Sequence, residues 1–533
     1  MASIDLDIRC VDFADLPWSS PGDLLTRLGG GDVPAGFPLL GDGDRDHVSG
    51  SPFLDRRRLA AVLAEHNASV HNALSGQQTQ AIADDARFVI TGQQPGLLLG
   101  PLYAFLKAVT AIRLAEHFER LGGGPVIPAF WIASEDHDVL EVNRCTVAGR
   151  TFTWDYPGEL AHGEVPQVGD IPLDEAREPL LDFLAEALPA TEFREGVLET
   201  VAAADFTSYA TLFATLMRQL LGPGRLVLID PIGLRSLTAP VLAEAVARWP
   251  AVLRAFDAGA TMLRAADVDV ALDRAGLFEI VEGKRRACDI DADGMTASAG
   301  RLSLTEAAAE IRRRPADFSP NAALRPVLQD AVIPTLTTVG GPAELRYLWQ
   351  IGEIYEAVGV QRSRVAPRIH ATFVEPPLRR AADKAGLWPD RLLDAPAALR
   401  DYNPQATADP DLDRVQRLGD ELLAAIEGLK DGHSDKQIGK AHESIAHQVE
   451  RLVSRLREHR LSRAGLGRQN LEKVVAALLP DGRPQERVVS PFHFLGFHGP
   501  DFVSRSLERL DPWCRAHQVA EIVPRRGQTG GSA

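Results

Sequence analysis

The chain has 533 residues, of which 45% are hydrophobic and 24% charged, and its formal net charge is −16. A chain of this length exceeds what one hydrophobic core usually serves, so we expect two or three domains. The negative charge argues against a broad nucleic-acid surface, and no apolar run approaches the roughly twenty residues that span a bilayer. Because residues 1–7 carry acids where a signal peptide carries bases, we expect a cytoplasmic protein that binds neither nucleic acid nor membrane.

The four cysteines, Cys10, Cys145, Cys288 and Cys514, lie far apart in the sequence. They form no C-x-x-C pair, so their spacing indicates neither a zinc site nor a disulfide framework. We expect each of them to be a buried or incidental thiol.

The first clear pattern follows an N-terminal helical and irregular segment, residues 1–85, which we expect to pack on the core with a helix over 59–74. A short apolar strand over 88–91 then stops at a Gly-rich turn. Helical periodicity begins after Pro101, a residue that the first turn of a helix tolerates. The pattern therefore predicts a strand, a loop and a helix.

A second apolar stretch, residues 126–133, is typical of a strand buried on both faces. Four ionisable residues follow it directly: Glu135, Asp136, His137 and Asp138. Ligands bind outside the carboxyl ends of the strands in an open parallel sheet. We therefore expect this acidic cluster and the loop with Gln93 and Gln94 to face one cavity.

Further strands are predicted over 225–231 and 331–339, the second closed by Gly340 and Gly341. Strands that alternate with helices favour an α/β fold with a parallel sheet. We expect this core over 86–380, with inserted segments at about 145–220 and 235–315.

A polar helical pattern with an a/d seam follows, and we expect an antiparallel helical coiled coil over 381–475. Gly432 separates its two arms, and the apolar positions are Leu418, Leu422, Ala425, Leu429, Ile438, Ala441, Ile445, Val449, Leu452 and Leu456. We favour a coiled coil that forms a homodimer over a hairpin packed on its own domain. Residues 476–524 are expected to return to the core, and 525–533 to form a disordered tail.

Several separate motifs carry a resemblance to a known family. They are Thr91-Gly92-Gln93-Gln94 with Gly100-Pro101-Leu102-Tyr103 and Lys107; Phe130-Trp131-Ile132-Ala133 with Glu135-Asp136-His137-Asp138; Ser319-Pro320-Asn321 through Gly340-Gly341-Pro342-Ala343-Glu344; Pro367-Arg368; and Gln485-Glu486-Arg487. With these motifs in this order, the chain resembles the bacillithiol-synthesis cysteine-adding enzymes, the BshC family. The motifs span almost the whole chain.

The resemblance implies a Rossmann-like core related to class I nucleotidyltransferases and synthetases, with connecting insertions and a coiled-coil dimerisation arm. It also implies the last step of bacillithiol biosynthesis, in which a ligase joins cysteine to the amine of glucosaminyl-malate to make a low-molecular-weight thiol. These are expectations from likeness rather than from residue chemistry.

The acidic cluster has three readings: a general base, a helix cap or a metal site. We favour the base, with His137 first because its unperturbed pKa is near 6.5, and with Glu135, Asp136 and Asp138 as the surrounding catalytic residues. Alternation along an extended segment would put Glu135 and His137 on one face. No second cluster of metal ligands is evident, so no metal is assigned.

Two sets of residues are predicted to bind ligands. Gln93 and Gln94 suit hydroxyls or a carboxylate, Arg325 and Arg368 suit bidentate carboxylate recognition, and helix N-termini after glycine turns suit anions. The predicted substrate-binding residues are Gln93, Gln94, Tyr103, Lys107, Asn321, Arg325, Glu344 and Arg368. The predicted cofactor-binding residues are Gly92, Gly96, Gly340 and Gly341.

Joining a free carboxylate to an amine is uphill in water, so the cysteine carboxyl needs activation, by ATP as an adenylate or acyl phosphate. Neither G-x-x-x-x-G-K-[ST] nor a His-x-Gly-His signature is present, so ATP rests on the family and on energetics. Two alternatives stay open. One is a noncatalytic scaffold that uses the crevice and the coiled coil, and the other is a transferase with a preactivated cysteinyl donor.

Overall fold

A computed structural model describes residues 3–20, 22–155, 165–402, 409–430, 435–463 and 468–525. The chain divides into two compact units: the first comprises Met1–Thr372 with Glu486–Ala533, and the second Phe373–Gln485. None of the helices in the described ranges is both long and apolar enough to cross a lipid bilayer.

The strands in this part of the chain are β1 (Ile4–Val11), β2 (Arg87–Gln93), β3 (Val126–Ile132), β4 (Arg144–Val147), β5 (Arg150–Thr153), β6 (Val165–Pro166), β7 (Val227–Ile229), β8 (Leu277–Val281), β9 (Lys284–Ala287), β10 (Asp289–Ile290), β11 (Gly294–Ala297), β12 (Gly300–Ser303), β13 (Phe318–Pro320), β14 (Thr335–Gly340), β15 (Arg364–Pro367), β16 (His370–Val374) and β17 (His517–Pro524).

The α-helices are α1 (Leu24–Gly29), α2 (Arg56–Ser69), α3 (Gly76–Asp84), α4 (Leu102–Arg120), α5 (Val139–Val142), α6 (Arg177–Ala187), α7 (Arg194–Ala202), α8 (Tyr209–Leu221), α9 (Pro231–Ala247), α10 (Trp249–Ala265), α11 (Leu304–Arg313), α12 (Arg325–Val332), α13 (Pro342–Gln350), α14 (Gly352–Val358), α15 (Pro376–Lys384), α16 (Ala395–Arg400), α17 (Pro410–Glu427), α18 (Asp435–Arg463), α19 (Arg468–Leu478), α20 (Pro491–His498) and α21 (Asp501–Arg509).

The first unit is built on a five-stranded sheet in the order β15, β14, β2, β3, β7, and its strand pairs are all parallel. The central strands are buried on both faces, as the apolar runs predicted. The predicted α/β, Rossmann-like core is thus confirmed. Because the chain passes from β2 to β3 on one side and reaches β14 on the other, the strand order reverses between β2 and β14, where such folds bind ligands.

In the described ranges four smaller sheets accompany the five-stranded one: β1–β17–β16, β13–β8–β9–β6, β10–β11–β12 and the β4–β5 hairpin. Strands β1 and β17 pair along their whole length, from Ile4 with Pro524 to Val11 with His517. Beyond this ladder the Arg525 N–H donates to the Ser3 carbonyl at 2.7 Å. Arg525 is therefore tied to the N-terminal strand, and the rest of the predicted tail lies outside the described residues.

Local structure differs from the sequence expectations in three places. Helix α2 ends at Ser69, before His71 with its positive φ of 57°, rather than at residue 74. Helix α12 continues to Val332, so the first residues of the strand predicted over 331–339 are helical. The segment after β3 turns at once instead of staying extended. Short apolar runs do not distinguish a buried helix end from a strand.

The second unit contains α15 to α19. Helices α17 and α18 form an antiparallel pair, since the Arg457 guanidinium donates to Asp413 at 2.5 Å and Arg460 to Asp409 at 2.8 Å. A Cβ at Gly419 would meet Val449 at 2.6 Å, so glycine permits the closest approach of the two helices. The predicted arm over 381–475 lies within this unit, whereas Gly432 lies outside the described residues.

The two arms contact each other through only part of the seam that the sequence indicates, where Val449 faces Gly419, and through positions outside it. Leu412, Gly419 and Val453 are buried in the hairpin. Leucines of the predicted seam are exposed: Leu418 (55%), Leu422 (49%), Leu429 (68%), Leu452 (53%) and Leu456 (40%). The arms therefore carry two apolar faces, and only one of them is used within the hairpin.

Candidate active site at the carboxyl edge of the parallel sheet

Lys107 is the central cation of the crevice between β2 and β14. It lies one turn after Tyr103 on α4, as predicted, and only 2% of it is exposed. Its ammonium donates to the Gly92 carbonyl and to Gln93 Oε1, both at 2.8 Å, and forms an ion pair of 2.6 Å with Glu344. Burial lowers the pKa of Lys107, and the Glu344 carboxylate opposes this effect.

Glu344 comes from the opposite side of the strand-order reversal. It stands in the first turn of α13, and its Oε2 accepts a hydrogen bond of 2.8 Å from the Gly341 N–H. This cap by a side chain satisfies a backbone donor that would otherwise be free at the helix N-terminus. The anion site that the sequence predicts after Gly340 and Gly341 is thus occupied by a carboxylate of the protein.

The glutamine-rich loop after β2 contacts the loop after β3. Gln93 Nε2 donates to the Tyr103 hydroxyl at 3.3 Å and also to Gln94 Oε1. Gln94 Nε2 in turn donates to Asp136 at 2.9 Å and to Glu141 at 2.5 Å. The structure therefore brings the two strand ends together, as the strand-end argument predicts.

The four residues of the acidic cluster separate into different environments. Glu135 is buried against Arg235, whose Nε donates to it at 2.8 Å. Burial raises the pKa of Glu135, whereas the Arg235 charge acts to lower it. Asp138 caps α5 by accepting from the Glu141 N–H at 3.3 Å. These two carboxylates have structural partners, and helix capping applies to Asp138.

Asp136 and His137 are the accessible pair of the cluster. The His137 side chain is 49% exposed, and its Nδ1 lies 3.5 Å from Asp136 Oδ1. Asp136 also accepts from the His137 N–H at 2.7 Å and from Gln94 through its other oxygen. Because the chain turns after β3, Glu135 and His137 do not share a face, which corrects the expectation based on strand alternation.

Arg325 extends from the first residue of α12 towards the end of β3. It donates to Gln329 and to the Tyr347 hydroxyl, each at 3.1 Å, and its guanidinium carbon lies 5.6 Å from the Trp131 ring centre. Burial raises the pKa of Tyr347 to about 12, so its hydroxyl stays neutral. The hydrogen bonds of Arg325 within the described residues therefore go to uncharged groups.

Arg368 follows β15 and is bound by a carboxylate from the C-terminal part of the chain. Its two terminal nitrogens donate to Glu486 at 2.9 and 2.5 Å, in a pair of which both side chains are almost fully buried. Glu486 also accepts from the Ala371 N–H at 3.0 Å. Burial alone would raise the pKa of Glu486, but Arg368 and then His370 hold it well below its usual range.

Two buried histidines lie beside this ion pair. The Nδ1 of His370 is 3.1 Å from Glu486, and the Nε2 of His517 is 2.8 Å from the Thr372 hydroxyl. Burial, together with nearby positive charge from Arg368, lowers the pKa of each to about 4. Both rings are therefore neutral near pH 7.

Other predicted binding residues are engaged in local structure. Asn321 organises the turn before α12, with its Nδ2 donating to the Arg274 carbonyl at 2.9 Å and its Oδ1 accepting from the Ala323 N–H at 3.1 Å. A Cβ at Gly92 would meet the Trp131 carbonyl at 2.8 Å, and one at Gly96 would meet Gly100 at 2.9 Å. These glycines are required by the packing of the loop itself.

Sequence reasoning assigned no site role to Glu486, Arg235 or Arg285. Arg285 stacks 3.8 Å above the Phe278 ring and donates to Ser319 at 3.0 Å, and its charge acts on Glu135. Glu486 lies in the family motif Gln485-Glu486-Arg487, so the sequence did contain a signal that could have identified it. Arg235 and Arg285 lie in unremarkable stretches of helix and strand, so no local pattern identifies them.

Charged side chains of both signs meet at this edge of the sheet. Lys107 and Arg368 lie near the ends of β2 and β15, Arg325 lies over Trp131 of β3, and the charges of both arginines act on Lys107. Asp136 and Glu141 lie on the β3 side, joined through Gln94. Among the described residues, no group of three or more His, Cys, Asp and Glu side chains is arranged to hold a metal ion.

Comparison with known proteins gives a family for both units. Residues 44–369 match the model "Bacillithiol biosynthesis BshC, N-terminal Rossmann-like domain", and residues 371–522 match "Bacillithiol biosynthesis BshC, C-terminal coiled-coil domain". The predicted coiled-coil class of the C-terminal region is thereby confirmed.

Many relatives carry the name "Putative cysteine ligase BshC", and three of them illustrate the similarity. The protein of Koribacter versatilis is 30% identical over 88% of this chain and 90% of its own length. That of Symbiobacterium thermophilum is 31% identical over 86% and 88%, and that of Bacillus cereus 28% identical over 88% and 91%. The chain therefore belongs to the bacillithiol biosynthesis BshC family, and it is an enzyme of the ligase class.

Proposed function

We propose that the chain is a cysteine ligase that joins the carboxyl group of cysteine to the amine of glucosaminyl-malate, the last step of bacillithiol biosynthesis. The observation that carries this proposal is that the cations Lys107 and Arg325 and the accessible Asp136–His137 pair converge on the same edge of the sheet. Glucosaminyl-malate has two carboxylates and cysteine has one, which suit the cations. The amine that must lose a proton suits the side with Asp136 and His137.

Arg325 is the cation best suited to a substrate carboxylate. Lys107 and Arg368 each have a carboxylate of the protein as a partner, Glu344 and Glu486 respectively. The hydrogen bonds of Arg325 go to neutral side chains, so its positive charge has the weakest direct compensation of the three. A guanidinium without a carboxylate partner can bind a substrate carboxylate through two parallel hydrogen bonds.

His137 is the proposed general base. An amine attacks a carboxyl carbon only as the free base, so the ammonium form of the sugar amine has to lose a proton first. The half-exposed ring has Asp136 at 3.5 Å, a carboxylate that stabilises the protonated imidazole after the transfer. Asp136 is itself held by Gln94, which fixes the direction of the carboxylate.

ATP is the proposed source of free energy, and when bound it would activate the cysteine carboxyl. A polyphosphate would be met by side-chain charge at this edge rather than by a glycine cradle, and Arg325 is the cation whose hydrogen bonds go to neutral groups. The Gly341 N–H already donates to Glu344, and Gly92 and Gly96 are small because their own loop is tightly packed. Positive side chains at the strand-order reversal supply the charge that phosphates require.

The protein is proposed to act as a homodimer through the outer apolar face of the coiled coil. Four leucines on α17 and α18 are exposed there, Leu418, Leu422, Leu452 and Leu456, and Leu429 just after α17 is exposed as well. Exposed leucines at coiled-coil spacing favour an interaction site, and a second copy of the chain offers the same residues.

The direct test is an assay of the purified full-length chain with cysteine, glucosaminyl-malate and ATP, in which mass spectrometry follows the amide product. ATP-dependent product formation is expected, with no product when ATP is omitted. Product from a preactivated cysteinyl donor but not from ATP and cysteine would favour the transferase.

A cellular measurement separates the enzyme from a scaffold. Loss of the gene should remove the thiol and accumulate glucosaminyl-malate in cells that make bacillithiol. Cells whose thiol pool and precursor are both unchanged would favour the noncatalytic scaffold.

The exchange Arg325→Lys keeps the charge but loses the planar guanidinium, and it should raise KM for glucosaminyl-malate more than it lowers kcat.

A further inference from the structure

Two cysteines from opposite ends of the chain lie side by side in the first unit. The Sγ atoms of Cys10 and Cys514 are 2.8 Å apart, although 504 positions separate them in the sequence. Cys10 stands on β1, and Cys514 stands in the connection between α21 and β17. The expectation that each cysteine is a buried or incidental thiol agrees with Cys145 and Cys288, which are buried, but it did not foresee that the other two are neighbours.

The local fold holds this pair together. Cys10 is opposite Gln518 in the β1–β17 ladder, and Gln518 is fully buried. The Gln518 side chain accepts from the Asp511 N–H at 3.0 Å and donates to the Asp511 carbonyl at 2.8 Å, which closes the connection around Cys514. Trp513 packs against Phe118 of α4, so the connection is held on both sides.

The pair also has access to solvent, unlike the two remaining cysteines. Cys10 is exposed and Cys514 is partly exposed, whereas Cys145 and Cys288 are buried. Burial raises the pKa of the Cys288 thiol to about 12, and burial together with the hydrogen bond to Cys10 raises that of Cys514 to about 12 as well. Access to solvent therefore distinguishes the pair from Cys145 and Cys288, which a small disulfide does not reach. The chain thus contains matched internal controls for thiol chemistry.

We propose that Cys10 and Cys514 form a reversible redox modification site, which low-molecular-weight disulfides oxidise to an intramolecular disulfide. The Sγ atoms need to approach by less than about 1 Å to reach the bond length of about 2.0 Å. The connection at Cys514 is irregular and lies at the surface, so a shift of this size leaves the β1–β17 ladder intact.

The chemistry is two successive thiol–disulfide exchanges. The exposed Cys10 thiolate attacks one sulfur of R–S–S–R, forms a mixed disulfide and releases one R–S⁻. Cys514 then loses its proton, attacks the Cys10 sulfur and releases the second R–S⁻. The two protein thiols lose two electrons in total, and the small disulfide gains them. Excess small thiol reverses both steps.

The test uses cystine as the oxidant and the reduced full-length chain. After incubation, free thiols are alkylated and the protein is analysed by intact mass and peptide mapping. We expect one linked peptide pair that contains Cys10 and Cys514, alkylated Cys145 and Cys288, and full reversal by dithiothreitol. Alkylation of both Cys10 and Cys514 in the treated protein would overturn the proposal, as would a disulfide between two chains.

Single variants separate the two steps. Cys514→Ser should stop at the mixed disulfide, with one cysteinyl group on Cys10, because the second thiol is missing. Cys10→Ser should react at least tenfold more slowly, and Cys10→Ser/Cys514→Ser should take up no cysteine. A mixed disulfide that persists in the unaltered chain would show that Cys514 does not resolve it and would refute the site.

Discussion

Charged side chains are usually exposed and leucines usually buried, and the crevice of the first unit and the hairpin of the second each depart from this rule. In the crevice, charged side chains such as Lys107 and the Arg368–Glu486 pair are buried and partnered. On the hairpin, leucines such as Leu422 and Leu429 are exposed. A buried charge needs a partner, and an exposed apolar face gains free energy when another surface covers it. The charges of the crevice are thus satisfied within the first unit, whereas the leucines of the hairpin lie open to solvent.

Replacement of His137 by alanine tests whether the polar side of the crevice performs chemistry. If His137 is the base, ligase turnover should fall by about 10² to 10⁴ with the fold intact, the span expected for general acid–base catalysis. His459→Ala on α18 is the matched control, because it removes an exposed histidine in the other unit. Unchanged turnover for His137→Ala would remove that residue from the mechanism.

The buried ion pair can be broken by Glu486→Ala, which leaves the Arg368 charge without its carboxylate. The free energy of unfolding in urea should fall by about 3 to 5 kcal/mol, as for other buried pairs that lose one partner. Glu186→Ala removes a carboxylate from an exposed pair with Arg150 and should cost no more than about 0.5 kcal/mol.

Because Glu486→Ala opens a cavity as well, the isosteric Glu486→Gln separates charge from volume. A comparable loss of stability in both variants is expected from an unpaired Arg368. Equal stability of Glu486→Gln and the unaltered chain would show that the charge of Glu486 contributes nothing, contrary to the geometry.

The exposed leucines can be tested by Leu418→Glu/Leu422→Glu. These changes add two negative charges to the outer face of α17, where each leucine buried in a dimer contributes about 1.5 to 3 kcal/mol. Light scattering should show a folded monomer. The variant Arg417→Glu changes the net charge by the same amount at another exposed position of α17 and should keep the dimer. A dimer that persists in the leucine variant would place the interface elsewhere.

The smallest and most gradual effect that we expect is a fall in the free energy of unfolding as the pH is lowered. Unfolded histidine binds a proton below pH about 6.5, whereas His370 and His517 in the folded protein do so only below about 4. The unfolded state therefore binds more protons in this window, and stability falls as pH falls from 6.5 towards 4. Each histidine contributes a slope approaching about 1.4 kcal/mol per pH unit.

Urea unfolding between pH 6.5 and 5.5 measures this slope before Glu486 of the unfolded chain, with an ordinary pKa near 4.3, takes up a proton. His517→Gln should make the dependence on pH shallower, since glutamine keeps a polar partner for Thr372 but does not titrate. An identical slope in the variant would mean that His517 takes up its proton in the folded state.

Much of the crevice could be anticipated because its information is local. The apolar runs of β2 and β3 and the glycine turn before α13 predict strand ends, and the strand ends predict where polar side chains converge. The contact of Gln94 with Asp136 follows from that rule. The different environments of Glu135 and His137 could not be anticipated, because they depend on a turn directly after β3 and on Arg235, which is 100 positions from Glu135.

The sequence by itself determined the parallel α/β core, the strand ends with their polar loops, and a helical region with apolar positions at coiled-coil spacing. Periodicity and the residue types at strand ends are properties of neighbouring residues, so they can be recognised in the sequence before the fold is known. Only the tertiary structure decided that Glu486 partners Arg368 across 118 positions, that Cys10 meets Cys514, and which apolar face of α17 lies inside the hairpin. These pairings depend on where distant elements pack, and no local pattern encodes that.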